Sequence, residues 1–124
     1  MTIEDLLKLA QKPRRVIPFK VGTLSGFVRG LNAGEVEEGR ALAEKLELQN
    51  ARRVMIAMAL CEEDGTPLCG EPEKYVERFK GLPEGVVNGI MAKAEEASRL
   101  LPGEAEELVG NSEGRTADSD TASP

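Results

Sequence analysis

The sequence predicts an α+β fold: a small N-terminal β-hairpin and a second, Asp-Gly hairpin packed with three to four helices, then a disordered acidic C-terminal tail. Three observations carry this expectation. Two β-rich runs, Arg14–Val21 and Leu24–Leu31, flank Gly22-Thr23; β-branched and aromatic residues favour strands, and Gly supports the turn. Val87, Ile90, Met91, Ala94, Ala97 and Leu101 recur at helical spacing across Glu84–Leu101, the pattern of a helix with one buried face. Between them, the apolar run from Arg52 onward ends in acids, meets Asp64-Gly65 and restarts at Pro67-Leu68. That Asp-Gly pair is a strong turn signal, because tight hairpin turns need the positive φ that Gly adopts freely.

The other elements follow in chain order. Thr2-Ile3-Glu4-Asp5 resembles a capping box, and Ile3, Leu6, Leu7 and Ala10 then share one helical face. The residue before a proline is pushed out of the α region, so this helix, residues 1–12, ends before Pro13. Alone it is too short to persist in water and must dock, on the body or on a partner. Pro18 marks the first strand as an edge strand or a bulge. Asn32-Ala33-Gly34 reads as a helix entry, with Glu35, Glu37 and Glu38 favourably placed against the helix dipole. The stripe Val36, Leu42, Ala43 and Leu46 follows, and Gln49-Asn50 closes the helix. Val54–Cys61 fits either a buried strand or a helix. The strand is favoured, because Thr66–Cys69 can return antiparallel after the turn. A two-residue Asp64-Gly65 loop would set Cys61 opposite Leu68, and a three-residue loop including Thr66 would set it opposite Cys69. Glu71–Lys80 reads as a helix with Pro72 in its first turn and Tyr75 and Phe79 on one face. Gly81-Leu82-Pro83 breaks it, and Pro102-Gly103 ends the last helix. Beyond that, Glu104–Val109 offers at most a helical turn, and the remainder lacks apolar periodicity. The domain plan is a helix over 1–12, a body over 13–101 and a tail over 102–124.

Composition narrows the function. Residues 1–101 carry 16 acids and 15 bases, whereas 102–124 carry six acids and only Arg115. A near-neutral body with an acidic tail lacks the basic surface that nucleic-acid binding needs. Arg14-Arg15 and Arg52-Arg53 read as flanks of strands or helices. No His is present, which removes the commonest general base and metal ligand. Two cysteines, Cys61 and Cys69, supply neither a zinc site nor a disulfide framework. Glu62-Glu63-Asp64 lacks the alternating oxygen ligands of a calcium loop and reads as a solvated turn rim. Phosphate-loop and nucleophile-elbow motifs are missing, so no enzyme and no cofactor are expected. Met1–Lys12 has no apolar signal core, and no run has membrane-spanning length. The expectation is a cytoplasmic protein with no membrane partner. Arg29, in the second strand, is expected to pair with an acid of Glu35–Glu38 and fix the strand-to-helix junction.

Phe27–Leu31 reads F-V-R-G-L and is followed by an acidic helix; Ala59–Leu68 reads A-L-C-E-E-D-G-T-P-L and is followed by two helices and a polar end. In that order, over roughly residues 14–101, the chain resembles the tail assembly chaperones of long-tailed bacteriophages and prophages. The resemblance implies a non-enzymatic protein of the bacterial host cytoplasm. Such a protein coats the tape measure protein until tail tube protein polymerises around it, and is not retained in the mature virion. Some family members also have a longer, frameshifted form. Partner-binding candidates are Ile3, Leu6 and Leu7 on the first helix, or Val87, Ile90, Met91 and Ala94 on the last; Arg29, Asp64 and Gly65 are structural candidates. Self-association is a further expectation, from the edge strand at Pro18 and the helical stripes. The alternative reading is a structural virion component, a tail or head-tail connector subunit.

Overall fold

A computed structural model describes residues 1–99. Met1–Pro13 belongs to one unit and Arg14–Arg99 forms the body. The acidic tail expected over 102–124, the turn at 104–109 and Leu101 lie outside the described residues.

In the first unit, helix α1 spans Ile3–Ala10. Its start is the capping box read from the sequence: Thr2 Oγ1 accepts from the Asp5 N–H at 3.1 Å, and Asp5 Oδ2 accepts from the Thr2 N–H at 2.9 Å.

The body is built on a three-stranded antiparallel sheet of β1 (Val16–Val21), β2 (Leu24–Arg29) and β3 (Leu60–Cys61), in that order. Strands β1 and β2 pair from Val16↔Arg29 to Val21↔Leu24. Gly22, at φ +64°, takes the first position of the two-residue loop, as a type II′ turn requires. β1 lies at the sheet edge, the place that tolerates Pro18. Alternation sends Ile17, Phe19, Val21 and Val28 to the inner face. Phe19 stands opposite Gly26, and its ring fills the space a Gly26 Cβ would need, 3.0 Å away.

Helix α2 (Ala33–Lys45) opens on Asn32, whose Oδ1 accepts from the Glu35 N–H at 2.8 Å while Glu35 Oε1 accepts from the Asn32 N–H at 3.0 Å. The helix ends earlier than Gln49-Asn50. Glu47 turns left-handed at φ +58°, its N–H bonds Glu44 O and the Leu48 N–H bonds Ala43 O. This is a Schellman stop with Glu where Gly is usual.

The largest correction concerns Val54–Cys61. The favoured strand is instead helix α3 (Arg52–Ala59), and only Leu60–Cys61 forms β3. The reason is burial on both sides. Ile56 and Ala59 join the sheet and last helix in one core, while Val54 and Ala57 join α2 and the segment after the hairpin in a second. A helix covered all round loses its polar face, and its sequence then reads like a buried strand.

Neither expected register of the second hairpin is realised. Cys61 faces Pro67, the Glu62 N–H bonds Thr66 O at 2.8 Å, and Glu63-Asp64-Gly65 form a three-residue loop. Gly65, at φ +92°, takes the left-handed third position of that loop. Asp64 Oδ1 accepts from the Thr66 N–H at 2.9 Å.

The helix expected over Glu71–Lys80 is divided into α4 (Glu73–Val76) and a 3₁₀ turn at Arg78–Gly81. The Leu82 N–H closes that turn on Phe79 O, and short 3₁₀ pieces of this kind are frequent where a helix stops. Tyr75 and Phe79 do meet, with ring centroids 6.3 Å apart.

Helix α5 (Glu84–Ser98) lies over the inner sheet face and α3. It stops at Ser98, short of Pro102-Gly103. Ser98 Oγ donates back to Ala94 O at 2.8 Å and accepts the Leu31 N–H at 2.9 Å, while Arg99 turns extended. Two glycines allow the close approach of α5: a Cβ at Gly30 would lie 2.5 Å from Ala97 O, and one at Gly89 would lie 2.7 Å from Val21 Cγ2.

Candidate interaction surfaces

The seven partner-binding candidates separate by burial. Ile3, Leu6 and Leu7 are 65%, 47% and 54% exposed on α1. With positions at i, i+3 and i+4 they form one apolar face on a helix that has no buried residue. Val87, Ile90 and Ala94 are buried in the core against the sheet and α3, so they hold the body together. Met91 is half-buried at the margin of that core.

Arg29 does what its position between β2 and an acidic helix implied. Its Nη2 lies 3.8 Å from Glu35 Oε2, and its Nε donates to Met58 O at 3.1 Å. Glu35 Oε2 also pairs with Arg14 Nη1 at 2.6 Å. One carboxylate thus caps α2 and gathers two guanidiniums, while Arg29 ties β2 to α3. The Asp64 carboxyl is held below the usual carboxylate range, chiefly by the Thr66 N–H. Gly65 brings the loop over the outer sheet face, where a Cβ on it would lie 3.5 Å from Val16.

Arg52 and Arg53 also serve the fold. Arg52 Nη1 reaches Glu84 Oε2 at 2.7 Å and also bonds Asn88, joining the starts of α3 and α5. That guanidinium holds the Glu84 carboxyl below its ordinary range. Arg53 Nη1 donates to Val76 O at 2.9 Å.

Sequence reading missed one concavity. A groove of about 720 Å³ opens between α2, α3 and α5, with Val36, Met55 and Met91 on its floor and Arg40, Arg99 and Glu95 among its charged residues. Its residues come from separated segments, so no local spacing announces it.

Cys61 and Cys69 are free and buried, and burial pushes both thiols above their ordinary range, away from the reactive thiolate. Among the described residues, no three His, Cys, Asp or Glu side chains are placed to hold a metal ion. Among them also, no helix is long and apolar enough to cross a membrane. Comparison of the chain with known protein families, with curated proteins and with solved structures found no match in any of the three.

Proposed function

We propose that this chain is a non-enzymatic tail assembly chaperone, and that it binds a tape measure protein and keeps it soluble until the tail tube polymerises. The observation that carries this reading is the α1 face: Ile3, Leu6 and Leu7 are about half exposed or more, on a helix whose first turn is closed by its own capping box. The resemblance at Phe27–Leu31 and Ala59–Leu68 supplies the family.

The physics suits a chaperone that must let go. A long helix-rich client exposes apolar stripes before assembly, and an amphipathic helix covers such a stripe. Burying a large aliphatic side chain contributes about 1.5–3 kcal/mol. Association itself costs several kcal/mol or more, so three such side chains give a reversible contact. Many weak contacts along one client can then yield to incoming tube subunits. In this reading the protein works in the host cytoplasm and is left out of the mature virion. It makes and breaks no bond. The net charge of −6 favours solubility of the complex and argues against a nucleic-acid partner.

Co-expression with a tape measure protein tests the proposal. The large protein becomes soluble and copurifies with this chain. An insoluble tape measure protein with no complex sinks the reading. Mass spectrometry of purified particles separates the alternative, since a structural tail or connector subunit would be abundant there.

A further inference from the structure

We infer that both edges of the sheet are closed to a further strand, so that neither a second copy of this chain nor an extended partner pairs with it through backbone hydrogen bonds. One row crosses the whole sheet: Pro18 pairs with Phe27, Phe27 with Cys61, and Cys61 bridges to Pro67. A proline stands at each end of that row, and both prolines are exposed. On one side β1 is the outermost strand. There the Gly30 N–H donates to Arg15 O at 2.9 Å, which fixes Arg15 and Gly30 as a bonded pair. Bonded and unbonded pairs alternate along an antiparallel ladder. Ile17, Phe19 and Val21 therefore turn their N–H groups toward β2, and position 18 faces outward with Val16 and Lys20. On the other side the Glu62 N–H bonds Thr66 O at 2.8 Å and the Leu68 N–H bonds Leu60 O at 3.0 Å. Cys61 and Pro67 are the unbonded pair between those two bonds, so position 67 faces outward as well.

An unpaired strand edge is a template for another chain, and Lys and Pro are the residues that blunt it. Without Pro18, β1 would present outward donors at 16, 18 and 20. Proline has no N–H, and its ring occupies the place where an incoming carbonyl would accept. The two remaining donors, on Val16 and Lys20, lie about 13 Å apart with the blocked position between them. Lys20 is exposed and adds its charge to the same edge. The opposite edge carries the greater hazard, because Leu68 beside Pro67 is 49% exposed. Its next outward donor, the Gly65 N–H, is already used inside the loop on Glu62 O at 2.9 Å. Neither proline breaks a bond within the sheet, since each nitrogen points away from its neighbouring strand. The edge at Pro18 is thus no route to self-association. A client such as a tape measure protein is held through side-chain faces and not by strand addition. The inference itself stands without the chaperone reading.

Hydrogen exchange of the purified full chain, read amide by amide across a concentration series, tests this. In the wild-type chain the Val16 and Lys20 amides exchange freely at every concentration, while those of Ile17, Phe19 and Val21 are protected. Pro18→Val restores the outward donor. The amides at 16, 18 and 20 then gain about tenfold protection or more as concentration rises, and light scattering shows a mass climbing above 13.4 kDa. Unchanged protection at Ile17, Phe19 and Val21 shows that the variant remains folded. Pro18→Ala restores the same donor with a smaller side chain and gives the same result. Pro67→Thr opens the opposite edge, and the amide at 67 gains protection in the same way. Protection of Val16 or Lys20 that rises with concentration in the wild-type chain overturns the inference, because the edge is then in use despite Pro18. An edge that gains nothing when its proline is removed overturns it too, because something other than the proline closes that edge.

Discussion

Arg29 and Glu35 meet at 3.8 Å where β2 hands over to α2, and each is already engaged: Arg29 with Met58 O, Glu35 with the Asn32 N–H. The pair therefore fastens a strand, a helix start and a second helix at one point. Arg29→Ala leaves a partly buried carbonyl without its donor, and we expect a loss of about 1–3 kcal/mol. Glu35→Ala removes half of a capping box and two ion pairs, for a loss of about 1–2 kcal/mol. Urea unfolding of both variants measures these losses.

Two glycines in opposite surroundings respond oppositely to an added methyl. Gly30→Ala puts a Cβ 2.5 Å from the backbone oxygen of Ala97, which only a shift of α5 relieves. We expect at least 1–3 kcal/mol of destabilisation, about the cost of overpacking a core. Gly85→Ala meets nothing within 4 Å and sits in the first turn of α5, so it stabilises by about 0.5–1 kcal/mol. Thermal melts of the two variants move in opposite directions.

Glu47 occupies the left-handed position that ends α2. Glu47→Gly relieves a conformation that costs an L-residue about 1 kcal/mol, and we expect the protein to gain roughly that amount. Its melting temperature rises by several degrees.

Asp5, Asp64 and Glu84 all have carboxyl groups held below their ordinary range, by the Thr2 N–H, the Thr66 N–H and Arg52 respectively. The folded protein then binds fewer protons than the unfolded chain near and below pH 4, so stability falls as pH falls. The contribution is fully present at neutral pH. It declines as acid protonates the unfolded chain and is lost below the folded values. Glu84→Gln removes one of the three groups, and in urea titrations its stability depends less steeply on pH between 5 and 3, the slope falling by about one proton or less.

Much of the fold was legible because local chemistry decides it. Thr2 with Asp5 and Asn32 with an acidic first turn announced helix starts, Gly22-Thr23 announced a hairpin, and Pro18 announced an edge. Arg29 was legible as a junction because an acidic helix follows β2 directly. Three of the errors share a cause, deciding contacts that lie far away in sequence, while the hairpin register is a local error. Val54–Cys61 is apolar throughout because two cores claim opposite sides of α3. The hairpin register depends on which residue takes the left-handed angle, and both Asp64-Gly65 readings placed Gly65 one step too early in the loop. The stripe on α5 marked Val87, Ile90 and Ala94 without saying whether core or partner covers them, and the core does. The groove rim at Arg40 and Arg99 had no sequence signal, because α2 and the end of α5 are distant in the chain.

The most direct test of the chaperone account is a sedimentation assay of a tape measure protein co-expressed with this chain or with its L6D/L7D variant. The account predicts that the tape measure protein moves to the soluble fraction with the wild-type chain and returns to the pellet with the variant. Equal solubility with both chains, or a pellet with both, would contradict it.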